Sequence, residues 1–214
     1  MSGARALRAA RLRGIYAILN DDGQNPIELA SAAMDAGVHV LQYRAKKGIV
    51  ARTIAALQES ARGRGALLIV NDDVDAAVRF DCDGVHVGPD DCTFSEIARI
   101  RAAVGDRLIG VSCGTLDETR AVNAEDVDYI GAGSVFATRS KLDAGDPIGL
   151  AQLQRIAAES RFPVAAIGGI DATNVAEVAR CGVAMAAVIG AIAAASDPAA
   201  AASRMVQAWE QAMR

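Results

Sequence analysis

Eight times along the chain, a short run of valine, isoleucine, leucine and alanine gives way to a longer segment whose apolar residues recur at helical spacing. Runs of this kind are too short for helices and apolar on both faces, and they read as strands of a parallel sheet covered by helices. Leu67 to Asn71 is the clearest, an apolar run that stops abruptly at Asn71, Asp72 and Asp73. The predicted strands are Gly14 to Leu19, Val38 to Tyr43, Leu67 to Asn71, Gly84 to Val87, Leu108 to Ser112, Tyr129 to Gly133, Val164 to Ile167 and Ala186 to Ile189. The helices that follow them are predicted at Pro26 to Ala36, Ile49 to Arg62, Asp72 to Phe80, Thr93 to Val104, Thr115 to Asn123, Leu150 to Ser160, Asn174 to Cys181 and Pro198 to Met213.

Eight such units in 214 residues, with no linker between them, predict an α/β fold: a single TIM-barrel domain, (β/α)8, over residues 1–214. An open doubly wound sheet is the rival. It wants a Gly-x-Gly-x-x-Gly turn after the first strand, and Asn20 to Gly23 does not supply one. Residues 1–13 are basic and lack acids, yet have no long apolar core, so an N-terminal extension or short helix beneath the barrel is expected rather than a transit peptide.

With 52% hydrophobic and 22% charged residues the chain can bury a large core. A net charge of -4 with dispersed basic residues points away from a nucleic-acid surface. No apolar segment joins membrane-spanning length to an absence of charge. Cys82, Cys92, Cys113 and Cys181 form no Cys-x-x-Cys and have only His39 and His86 to join them, which suggests reduced cytoplasmic thiols. The sequence leaves a homo-oligomer open.

In a TIM barrel the strand ends open onto the rim where chemistry gathers. Gln42, Arg44 and Lys46 alternate along an extended segment, and two neighbouring cations repel unless an anion lies between them. Asp72 and Asp91 follow successive strands and would share that rim, where a hard cation such as Mg²⁺ relieves their repulsion and completes its shell with phosphate oxygens. The blander readings are a solvated loop for the cations and helix-start positions for the acids, with Asn71 as the cap of the following helix. For Asp73 and Asp90 the helix-start reading is the better one.

Thr138, Ser140 and Lys141 crowd the loop after the sixth strand and suit a second phosphate clamp. Gly168, Gly169 and Gly190 follow the last two strands, where backbone N–H groups at a helix start can cradle a phosphate; glycines there also serve as plain turn formers. His86 is expected as a hydrogen-bonded inward group that orients a neighbouring carboxylate, and His39 as structural. Ser112 has no His–Asp partner within reach by sequence, so it does not read as an activated nucleophile.

Six segments, in order and spacing, resemble the motifs of the thiamine-phosphate synthase family. They are residues 42–46 (Gln-Tyr-Arg-Ala-Lys), 70–73 (Val-Asn-Asp-Asp), 84–91 (Gly-Val-His-Val-Gly-Pro-Asp-Asp), 110–112 (Gly-Val-Ser), 138–141 (Thr-Arg-Ser-Lys) and 167–170 (Ile-Gly-Gly-Ile). The resemblance implies a TIM barrel that joins a hydroxymethylpyrimidine diphosphate to a thiazole phosphate with Mg²⁺ and releases diphosphate. It implies that Gln42 contacts the pyrimidine and that Arg44, Lys46, Asn71 and Lys141 hold the diphosphate. By the same resemblance Asp72 and Asp91 bind the metal, Ser112 lies by the reacting centre, and Thr138, Ser140, Gly169, Ile189 and Gly190 receive the thiazole phosphate. Catalysis would fall to Arg44, Ser112 and Lys141.

The chain departs from the pattern at Pro89 and Asp90, which stand where Gln-Glu is common, at Gly114, where a histidine is frequent, and at Ala187, which replaces a serine. The family's thiazole tautomerase branch is similar in its barrel, but it has a histidine where Ser134 stands and lacks the full diphosphate set. An isomerase or epimerase of a phosphorylated sugar would leave Arg44, Lys46 and the acid pair without a role, and a catalytically silent ligand sensor is a rival of another class.

Overall fold

A computed structural model describes residues 2–88, 94–138 and 146–214. Eight parallel strands close into a barrel in chain order: β1 (Gly14–Asn20), β2 (Val40–Arg44), β3 (Leu67–Asn71), β4 (Gly84–Val87), β5 (Leu108–Cys113), β6 (Tyr129–Gly133), β7 (Val164–Ile167) and β8 (Met185–Val188). Closure comes from β8 pairing with β1, Gly14 opposite Met185 and Ala17 opposite Val188. Outside them lie α2 (Pro26–Asp35), α3 (Ala51–Gly63), α4 (Val74–Arg79), α5 (Phe94–Val104), α6 (Leu116–Ala121), α7 (Gly149–Glu159), α8 (Val175–Arg180) and α10 (Pro198–Ala212). A first helix, α1 (Gly3–Ala9), precedes the barrel, and a short α9 (Gly190–Ala193) follows β8. The predicted TIM barrel is therefore the observed fold.

The two-residue repeat of the strands sorts their side chains into two sets. Ile15, Ala17, Leu19, Leu41, Tyr43, Leu68 and Val70 face outward and pack with the helices in the larger core. Tyr16, Ile18, Val40, Leu67, Ile69, Leu108, Tyr129, Ala165, Met185 and Ala187 fill the barrel itself. Burying one such large side chain is worth about 1.5–3 kcal/mol. Gln42, Arg44, Asn71, His86 and Ser112 share the inward parity of their strands, so the site residues continue the packed interior upward.

Several boundaries differ from expectation for identifiable reasons. The second strand begins at Val40 because Val38 N–H turns back to the Ala33 carbonyl at 3.0 Å and ends α2. The fourth helix begins at Val74 because its N-cap is Asp73, whose Oδ1 accepts the Ala76 N–H at 2.8 Å; Asn71 is not the cap. Thr115 caps α6 rather than joining it, in a capping box with Glu118. The last strand ends one residue early, since Ile189 is the N-cap of α9, a helix the sequence pattern did not predict.

Below the barrel, α1 is tied in by buried charge. Arg5 Nε donates to Asp128 Oδ1 at 2.6 Å, Arg101 Nη2 donates to Asp128 Oδ2 at 2.6 Å, and the Ile109 N–H donates to the same Oδ2 at 2.8 Å. Arg8 reaches Asp83, which also accepts the Leu68 N–H. Removing one partner of such a buried set costs about 3–5 kcal/mol, because the others are left charged and unpaired. Among the described residues, no helix is long and apolar enough to cross a membrane.

Candidate active site

At the C-terminal ends of the strands the barrel opens into a cavity of about 820 Å³. Of the residues singled out from the sequence, Gln42, Arg44, Asn71, Asp72, Ser112, Thr138, Gly169, Ile189 and Gly190 line it. Lys46 lies in an adjoining hollow of about 310 Å³, which Arg44, Asn71 and Asp72 also line. Asp91, Ser140 and Lys141 lie outside the described residues, as does the Pro89 and Asp90 departure.

The expected repulsion between Arg44 and Lys46 is settled in part by the chain itself, since Lys46 Nζ stands 3.6 Å from Asp22 Oδ2. Arg44 has no such relief at one nitrogen: among the described residues its buried Nη1 meets no hydrogen-bond partner. A buried cationic donor without an acceptor is costly, and an anion entering the cavity would supply one.

Asp72 follows from the local fold of β3. Its N–H donates to the His86 carbonyl at 2.9 Å, extending the β3–β4 ladder one step, and its φ of +64° then turns the chain sharply. With Asp73 serving as the cap, the Asp72 carboxylate stays at the strand tip, where Asn71 Nδ2 donates to its Oδ2. Among the described residues no cluster of three or more His, Cys, Asp and Glu side chains is gathered for a metal. The carboxylate oxygens of Asp72 are of the kind a hard cation takes as ligands.

Across the cavity, the turn after β7 holds Gly169 at φ +63°, and a Cβ there would sit 2.6 Å from the Ala137 carbonyl oxygen. The loop after β6 and the turn after β7 thus meet at a spacing that admits only glycine. Gly190 opens α9, whose first N–H groups have no carbonyl ahead of them in the helix. The loop whose packing Gly114 put in question is held by Glu118, which accepts the Gly114 N–H at 2.6 Å.

The sequence offered Ser112 no His–Asp pair, and the fold sets a histidine, His86, beside it. Its Nε2 lies 3.1 Å from Ser112 Oγ, and its Nδ1 lies 3.1 Å from the Tyr129 hydroxyl. Tyr129 meets the Tyr16 hydroxyl at 2.9 Å, and Gln42 Nε2 donates to Tyr16 at 2.7 Å. Tyr16 and Tyr129 were passed over in the sequence although a signal existed. Each has the inward parity of its strand, and Gly110 clears space beside Tyr129. Cys113 also lines the cavity, and burial, reinforced by Glu118, pushes its thiol up to about 12, so it stays protonated and unreactive near neutral pH.

Fold and site together define the class: a TIM-barrel enzyme with a polar cavity at the C-terminal rim, lined by a half-buried arginine, an Asn–Asp strand tip and glycine turns. The thiamine monophosphate synthase family model matches residues 15–192. A thiamine-phosphate synthase of Anaeromyxobacter dehalogenans is 44% identical over 206 residues, 95% of this chain and 90% of that protein. One from Moorella thermoacetica is 40% identical over 187 residues, covering 86% of this chain and 88% of the relative. The structure of a thiamine phosphate pyrophosphorylase from Pyrococcus furiosus superposes with a TM-score of 0.85 at 33% identity, over 97% of this chain and all of that one. The chain belongs to the thiamine monophosphate synthase family, and its assignment is to the transferases of thiamine biosynthesis.

Proposed function

We propose that the chain couples 4-amino-5-hydroxymethyl-2-methylpyrimidine diphosphate to the thiazole phosphate by dissociative substitution. The aminopyrimidine is electron-rich enough to delocalise positive charge, so the C–O bond to diphosphate breaks first and the leaving group takes the electron pair. The thiazole nitrogen then forms the C–N bond with its own lone pair. It carries no proton, and no general base is needed.

The demand therefore falls on the leaving group. Arg44, Lys46, Asn71 and Lys141 would bind and neutralise the diphosphate, and Asp72 and Asp91 would hold Mg²⁺, which when bound offsets further charge on the departing oxygens. Gln42 and Ser112 would orient the pyrimidine. Thr138, Ser140, Gly169 and the backbone at Ile189 and Gly190 would seat the thiazole phosphate beside it. The observation that carries this reading is the buried Arg44 Nη1 without an acceptor, at a cavity that Asn71 and Asp72 share. A series of pyrimidine diphosphates graded in ring electron demand tests the mechanism. Turnover should fall steeply as electron density is withdrawn, and a flat series would point to direct displacement.

A further inference from the structure

Gln42, Tyr16, Tyr129, His86 and Ser112 come from five strands, yet they form one hydrogen-bonded chain across the cavity floor, with successive contacts of 2.7, 2.9, 3.1 and 3.1 Å. We propose that Tyr129 and Tyr16 act as positioning residues that fix the direction of this chain. The cavity floor then offers an acceptor at Gln42 and a donor at Ser112, and selects an aminopyrimidine over its oxo counterpart. The inference rests on the reading that the cavity takes a pyrimidine diphosphate.

The direction follows from counting protons. Gln42 Nε2 donates to the Tyr16 oxygen, so the single Tyr16 proton is directed to Tyr129. Tyr129 then donates its own proton to His86 Nδ1, which places the imidazole proton on Nε2, aimed at Ser112 Oγ. Ser112, having accepted, keeps its hydroxyl proton to donate into the cavity, and Gln42, with one amide N–H given to Tyr16, has its oxygen left as an acceptor. Each phenol must keep its proton for this to hold, and burial raises the pKa of both.

The rings are also held in place. Tyr129 is fully buried, packed edge-on against Tyr16 at 6.1 Å and tilted against His86 at 5.4 Å between centroids. A Cβ at Gly110 would fall 2.1 Å from Tyr129 Cζ and 2.5 Å from His86 Nδ1, so that strand gives up its side chain to make room for the pair. Tyr129 is outside the cavity lining, and its hydroxyl acts through its two neighbours.

An aminopyrimidine matches this pattern, because its exocyclic amine donates and its ring nitrogens accept. The oxo counterpart carries a carbonyl in place of the amine and a proton on a ring nitrogen, which inverts both. Sites that hydrogen-bond a substrate group in this way reject the mismatched analogue by about 10⁴-fold or more.

Two measurements test the proposal. The first is ¹⁵N NMR of the substrate-free protein, whose two histidines are assigned with a His39→Gln variant. His86 should be neutral and protonated on Nε2, and a proton on Nδ1 would overturn the proposal whatever the enzyme turns over. The second compares kcat/KM for the amino- and oxopyrimidine diphosphates in the wild type and in Tyr129→Phe. The variant should lose at least about tenfold of the preference, while a structural role alone would lower both rates and leave their ratio unchanged. An unchanged ratio in a folded variant also overturns the proposal. Absence of turnover with either substrate would instead sink the functional reading and leave the tautomer result standing.

Discussion

Asp73 caps α4 by accepting the Ala76 N–H, while Asp72, one residue before it, sits in left-handed backbone at φ +64° with its carboxylate at the strand tip. Two adjacent carboxylates are thus divided between a structural task and a site position. A non-glycine residue in that conformation costs about 1 kcal/mol and persists where the surrounding structure holds it there.

Replacing Asp72 should therefore separate stability from activity. Asp72→Ala and Asp72→Gly are both expected to fold and to lose nearly all turnover, with the glycine variant the more stable by about 1 kcal/mol. Denaturant melts and an assay of the two variants check this. Normal turnover by either variant would contradict the metal assignment of Asp72.

Arg44→Met keeps much of the stem and removes the guanidinium whose Nη1 is buried without an acceptor. Turnover should drop on the order of a hundredfold, about 3 kcal/mol of barrier, with little change in the melting midpoint. A variant that turns over normally would exclude Arg44 from binding the leaving group.

The barrel was legible because its signals are local. Apolar runs of strand length, glycines at helix ends and Asx caps recur in a pattern that one topology satisfies. Much of the cavity's polar lining was legible for a related reason: Gln42 and Arg44 share a face by strand parity, and Asn71 and Asp72 end an apolar run. What escaped depended on contacts between strands. That His86 meets Ser112 follows from β4 lying beside β5 in a register that sets His86 against Gly110, one inward step below Ser112. Tyr16 and Tyr129 are 113 residues apart, and nothing local announces that their hydroxyls touch. The helix-start role of Asp73 was legible in the sequence and is observed as the cap of α4, whereas the left-handed backbone at Asp72 that enforces the division was not.

Stability should fall at alkaline pH through the buried thiols. Cys113 and Cys82 ordinarily titrate near 9 and are raised to about 12 in the fold, chiefly by burial. The unfolded chain releases these protons first, so the contribution is fully present below about pH 9 and is lost as pH rises toward about 12. Cys113→Ala should flatten the decline of the melting midpoint between pH 9 and pH 11, and Cys82→Ala combined with it should flatten it further. Parallel curves for all three proteins would contradict this.

Diphosphate release by the purified protein in Mg²⁺, with the pyrimidine diphosphate alone, the thiazole phosphate alone and both together, probes the central claim most directly. Sustained release only when both are present, matched by an equal yield of thiamine phosphate, is the predicted result. No release with both present, or release from the pyrimidine diphosphate alone at the full coupled rate, would contradict it.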